Sequence, residues 1–443
     1  MWTILLLLFV VACQLTLAAH ALRCGDLWLF SALVVLVVVQ ATRWGFVRLV
    51  WAFGLILGAL FWVRTGLGFM EVRAALGEPW LRLACILAAL VLGSLGAGLL
   101  LLGERARGFF RHGTEHEGVR AAAFVLAVFG LWLARGKAKV AVLLADRFWP
   151  GAGWVEMVLL GLYAAWLAGV ILDPARHKRL RPRLWALFSA VFFGQLLLGL
   201  VGFPDFLMTG RLHLPIPALI AAGPLFRGGG LFMPILFVST VVLVGPAWCS
   251  HLCYIGAWDD QCSRLGPKRT RPLSRRWAIG GRLVALILTC GAALLLHSLA
   301  VPAATAAVLA AGFGIAGLGV MLFVSRYLGV MAHCTAFCPI GLLGNILGRL
   351  TPWRVAITLS TCTQCGTCAR VCRYSALTPA EIEVGAPGLP CTLCGDCIGA
   401  CPHDSMAYRL IGPFRNVSPG SARAVLAVLL AVLMALFLGV ARI

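Results

Sequence analysis

Apolar runs of membrane-crossing length set the terms for everything else in this chain. A helix needs about 20 mostly apolar residues to cross a hydrocarbon core. Against that length the 443-residue sequence offers candidates at 2–22, 27–41, 46–63, 80–102, 119–134, 154–172, 184–203, 231–244, 278–299, 303–324 and 424–440. With 61% of residues hydrophobic and 12% charged, this is the composition of a multi-span membrane protein, not of a soluble domain. The expected fold is mainly α, a polytopic membrane helical bundle of about 11 spans carrying a small α+β module. It divides into a six-span bundle at 1–173 with no recognisable role, a second bundle at 184–328, a connector at 329–351, the module at 352–412 and a last transmembrane helix at 421–443. The small residues Ala19-His20-Ala21 resemble a signal cleavage site, but no Lys or Arg precedes the first run, so it reads as a retained span.

The module is defined by cysteines. Cys362, Cys365, Cys368 and Cys372 form one run, and Cys391, Cys394, Cys397 and Cys401 repeat its spacing. Three closely spaced thiolates on one tight loop suit an iron–sulfur cube, with the fourth ligand taken from the other run. One [4Fe–4S] cluster is therefore assigned to Cys362, Cys365, Cys368 and Cys401, and a second to Cys391, Cys394, Cys397 and Cys372. Structural zinc and disulfides fit two matched tandem runs poorly. Gly366 and Gly395 hold matching places, where a positive φ or close approach to sulfide excludes a Cβ. Arg373 stands where a proline often follows the fourth cysteine.

A second repeat lies outside the module. Trp248-Cys249-Ser250-His251-Leu252-Cys253-Tyr254-Ile255-Gly256 and His333-Cys334-Thr335-Ala336-Phe337-Cys338-Pro339-Ile340-Gly341 each follow an apolar run. Cysteines four apart share a helix face. The pairs Cys249/Cys253 and Cys334/Cys338 can thus converge as a metal or redox site: a third metal centre, a third cluster, or redox-active disulfides. Packing at helix ends is the plain alternative, and it is the reading for Cys13, Cys85, Cys262 and Cys290.

The order and combination of these motifs, over about 231–409, resemble the NapH/NosR type of membrane-bound polyferredoxin, the membrane component of a quinol dehydrogenase. Tyr254, in place of proline, departs from the first motif. The resemblance implies an electron-transfer subunit of an oxidoreductase serving anaerobic respiration. It would pass electrons between the quinone pool, or a cytoplasmic donor, and a respiratory partner, from a bacterial inner membrane with the module in the cytoplasm. The flavin-binding domain and flavinylation motif of larger members are not recognisable. Oxidase-assembly ferredoxins with similar cysteine pairs suggest an alternative, copper binding and reduction, and a redox-sensing subunit is a third.

The formal net charge of +21 is not a nucleic-acid footprint, because Lys and Arg crowd short segments between apolar runs. Arg176, Lys178, Arg179, Arg181 and Arg183 form one such segment, and Arg264, Lys268, Arg269, Arg271, Arg275 and Arg276 another. Putting both in the cytoplasm sends 204–230, with Arg211 and Arg227, outside as an irregular loop. Arg135, Lys137 and Lys139 then fall on the outer side, against the rule. Of the ionisable residues near spans, His20, His297 and Glu156 read as interfacial. His251 and His333 can ligate a metal or hydrogen-bond a sulfur, and Asp259 and Asp260 can relay protons or cap a helix. No P-loop, dinucleotide fingerprint or catalytic triad stands out.

Overall fold

The computed structural model describes residues 2–207, 214–267 and 270–440; Arg211, Lys268 and Arg269 lie outside them. Among the described residues, 10 helices are long and apolar enough to cross a membrane. The difference from the sequence count is the run at 27–41. Its helix, Leu27–Val39, has 13 residues, and at about 1.5 Å per residue it falls short of the roughly 30 Å hydrocarbon thickness.

The chain forms two compact units, the first ending at Gly169. In the first, Leu55, Ala97, Leu101, Phe124 and Val158 make the core. Gly98 lets the Leu81–Leu102 helix close on Gly45–Ala75: a Cβ there would stand 3.1 Å from the Ala52 carbonyl. Without a hydrophobic drive in lipid, such close backbone approach is what holds helices together. Buried Arg48 donates to Glu117 Oε1 at 2.6 Å and to the Leu101 carbonyl at 2.7 Å. Arg135 pairs with Asp146 at 2.7 Å, so its charge is compensated locally. Glu156 accepts the Ala145 N–H at 2.8 Å rather than reaching for water.

In the second unit, the basic residues 176–183 do not form a loop. They are the opening turns of helix Pro174–Val201, which Asp173 caps by accepting the N–H groups of Ala175 and Arg176. Part of 204–230, expected as irregular, is the helix Leu219–Arg227. Both cysteine motifs sit where one helix breaks and another starts. The chain runs Phe232–Val244, Trp248–His251, Tyr254–Arg264, and later Ala303–Gly319, a π-helical turn Val320–Ser325, a second π turn His333–Phe337, then Pro339–Gly348. The π-turns are irregularities of the kind that gather at functional sites.

The module is built on two antiparallel strands, β1 (Trp353–Ile357) and β2 (Met406–Leu410), with Val355 opposite Tyr408. Short helices Thr367–Val371 and Pro379–Val384 lie between them. Trp353 donates to the Leu243 carbonyl at 2.8 Å, which fixes β1 to the end of a membrane helix.

Candidate functional site

The two cysteine runs fold as one motif used twice. Positive φ recurs at matching places: Gln364 with Leu393, Gly366 with Gly395, and Ser375 with Asp404. Left-handed residues within a turn aim successive backbone N–H groups into one concavity, the kind of nest that receives the sulfides of iron–sulfur clusters. A cavity of about 330 Å³ is bordered by Cys362, Cys365, Cys368 and Cys401, the four sulfurs assigned to the first cluster. For the second set, burial and then the neighbouring Cys394, Cys391 and Cys372 push the Cys397 thiol well above its usual value. All four therefore share one neighbourhood. Such thiols ionise on binding metal and release their protons.

The sets differ in depth. Cys365 is exposed, and the hydroxyl and N–H of Thr367 hold its thiol below the usual value; Cys397 is buried. The two glycines differ likewise. A Cβ on Gly366 would meet nothing within 4 Å, whereas on Gly395 it would stand 2.4 Å from the Tyr408 hydroxyl, which is tied to the Leu393 carbonyl at 3.0 Å. Gly366→Ala should thus cost only the left-handed penalty of about 1–2 kcal/mol. Gly395→Ala should add about 1–3 kcal/mol of overpacking. Thermal melting and iron retention of the two variants check this; equal losses would refute it.

The membrane pairs are built alike. Cys253 and Cys338 are each extended and precede the next helix. The backbone N–H groups of Ile255 and Gly256 lie beside the Cys253 sulfur, and those of Ile340 and Gly341 beside that of Cys338. A Cβ on Gly256 would lie 3.0 Å from the Cys249 carbonyl, and one on Gly341 would lie 2.9 Å from that of Cys334. The shared Ile-Gly therefore folds each pair around its own first cysteine. Tyr254 takes the place of proline without disturbing this turn, and stacks on Phe192 at 4.0 Å. All four sulfurs border one cavity of about 380 Å³, together with Trp248, Arg282, Asn345, Tyr374, Pro390 and Thr392.

Pro390 and Thr392 flank Cys391, and Tyr374 follows Cys372 closely, so residues beside the second cysteine set roof this cavity. Several contacts hold them there. Ser250, between Cys249 and Cys253, donates to the Thr392 carbonyl at 2.9 Å. Buried Arg181 forks onto Asp396 at 3.0 and 2.8 Å, and reaches the Ser250 carbonyl and Asp260. Burial alone would raise the Asp396 carboxyl, but Arg181 and then Arg264 hold it below its usual range. Arg373 explains its own departure from proline: its guanidinium donates to the carbonyls of Ser263 at 2.8 Å and Gly329 at 2.9 Å. Asp259 ties the motifs together, accepting from Ser325 at 2.5 Å and from the Cys334 N–H at 2.9 Å.

The histidines behave more plainly. His251 faces His177, 3.3 Å between their Nε2 atoms, and the Ala247 carbonyl. His333 packs between Gly317 and Phe337, and burial lowers its imidazole to about 4. His297 meets the Phe226 carbonyl at 2.8 Å, and His20 packs on Phe61 and Trp62. Cys13, Cys85, Cys262 and Cys290 border neither cavity. Arg181, Arg282 and Asn345 were not singled out as site residues by the sequence. An arginine within an apolar run was the available signal for Arg282.

Residues 226–272 and 310–357 match the family model Fer4_5, described as a 4Fe-4S binding domain. The matched segments contain the two membrane cysteine pairs. The chain is also similar to the methylamine utilization ferredoxin-type protein MauN of Methylorubrum extorquens, with 26% identity over 263 residues, covering 56% of this chain and 82% of MauN. No solved structure matches. The chain is an iron–sulfur protein of the ferredoxin type, with [4Fe–4S] clusters, an electron-transfer role and the apolar helices of a membrane protein.

Proposed function

We propose that this protein passes electrons between the quinone pool or a cytoplasmic donor and a respiratory redox partner, along a path from the exposed first cysteine set, through the buried second set, to the four-cysteine cavity. The observation that carries this reading is the roof of that cavity: Pro390, Thr392 and Tyr374, neighbours of second-set ligands, border it directly. Bound in the module, two [4Fe–4S] clusters supply one-electron steps. The chain's own residues set the order. Cys365 and Gln364 open the first set to solvent. The buried fork of Arg181 on Asp396 holds the second set against the membrane motifs.

Oxidation of a quinol would release two protons to water and two electrons, which two bound one-electron centres would take up singly. The basic turns at 176–183, whose Arg181 reaches Asp396 of the module, support placing the module in the cytoplasm of a bacterial inner membrane. Anaerobically purified protein is expected to contain about eight irons in the module, to show [4Fe–4S] EPR signals on reduction, and to be reduced by menaquinol in vesicles. Reduced protein without any such signal would refute the path.

A further inference from the structure

The cavity between the membrane cysteine pairs is ringed by polar atoms that the protein leaves without partners. Arg282, 1% exposed, donates through Nε to the Ala278 carbonyl at 2.7 Å and through Nη1 to Asn345 Oδ1 at 2.6 Å. Its Nη2 has no hydrogen-bond partner, and neither do the buried Tyr374 hydroxyl and Thr392 hydroxyl. All three residues border the same cavity as the four cysteines. Among the described residues, Arg282 has no carboxylate within ion-pair range. A guanidinium does not lose its proton. Buried beside thiols, it calls for an anion, and the two hydroxyls call for acceptors.

We infer that this cavity takes a third [4Fe–4S] cluster, ligated by Cys249, Cys253, Cys334 and Cys338, with Arg282, Tyr374 and Thr392 as the groups that compensate its charge. The inference rests on reading this site as the membrane end of the electron path. Four thiolates around a cubane core leave the whole anionic, which answers the cation. Its sulfurs are acceptors for the two unpartnered hydroxyls. The two sites match in kind: each cavity is bordered by four cysteine sulfurs.

A single soft ion fits less well, because among the described residues no three His, Cys, Asp or Glu side chains converge closely enough to hold one. Disulfides would be neutral and leave Arg282 uncompensated. A short relay also leads onward: Asn345 accepts from Arg282 and donates to the Cys391 carbonyl at 3.3 Å, so the cavity and a second-set ligand share one side chain.

The test uses the full chain purified anaerobically in detergent. Wild type should hold about twelve irons, and the double variant Cys249→Ser/Cys334→Ser about eight, with the module's signals intact. Should the double variant fail to fold, Arg282→Gln and Tyr374→Phe give a second readout. Each removes a donor or positive charge beside one centre, so each should lower the midpoint potential of one EPR signal and leave the other two unmoved, while Arg282→Lys stays near wild type. Wild type with about eight irons and potentials insensitive to Arg282 overturns the third cluster while the two-cluster path stands. Copper bound by wild type and lost in the double variant overturns it as well. Absence of every [4Fe–4S] signal overturns the path itself.

Discussion

Replacing Arg181 by leucine is expected to detach the ferredoxin module from the first membrane motif. The guanidinium is 2% exposed and serves three partners at once: both oxygens of Asp396, the Ser250 carbonyl and Asp260. Without it, the ion pairs of Asp396 among the described residues reduce to Arg264, at 3.4 Å, and the Ser250 carbonyl loses that donor. Asp260 fares better, since Arg264 stays at 2.6 Å. Breaking a buried pair from one side costs about 3–5 kcal/mol, because the remaining charge is stranded. That is a large share of the roughly 5–15 kcal/mol that holds a typical domain folded.

Lysine should not rescue the loss, since a point charge cannot reproduce the planar fork. The expected result is loss of the second-cluster signal, new protease sensitivity at 385–404 and a lower melting temperature in detergent. Combining Arg181→Leu with Asp396→Leu should recover part of the loss, because no buried carboxylate is left stranded. Unchanged iron content and melting in Arg181→Leu would show that the fork is incidental.

Arg181 also shows where the sequence becomes illegible. It sits in a cluster of five basic residues, and the cluster reads as a topology signal. Its partners lie far along the chain, at Asp260 and Asp396, and no local pattern announces a contact of that separation. The same holds for Arg373, whose departure from proline is visible but whose carbonyl partners, Ser263 and Gly329, are not. The cysteine sets were legible because their chemistry is local: the spacing within a run encodes the loop. So were the turns at Gly366 and Gly395. The left-handed turns at Gln364, Leu393, Ser375 and Asp404 were not, because those residue types adopt them only when the surrounding fold insists. The apolar runs gave the helices but not their ends, and charge at 176–183 masked a capped helix start.

Single cysteine replacements in the module should be unequal, and the inequality separates an electron entry point from a structural joint. Cys365→Ser removes a ligand from the exposed set. The surrounding fold does not depend on that loop for docking, since the Cys365 thiol hydrogen-bonds within its own loop, to Thr367. About four irons should be lost and about four kept in the module, with the membrane contacts preserved. Cys397→Ser acts on the set whose loops carry the joint. Thr392 accepts from Ser250, the Leu393 carbonyl accepts from Tyr408, Asp396 receives Arg181, and the Cys391 carbonyl accepts from Asn345. A cluster templates the loop that ligates it, because binding and local folding are one free energy. Losing that template should loosen all four contacts together. The variant should therefore lose the second-cluster signal, melt well below Cys365→Ser, and pass no electrons from menaquinol to the first set even where that cluster survives. Equal melting and equal residual electron transfer in the two variants would mean that the clusters act in parallel, and that the joint at Arg181 and Ser250 holds without the metal.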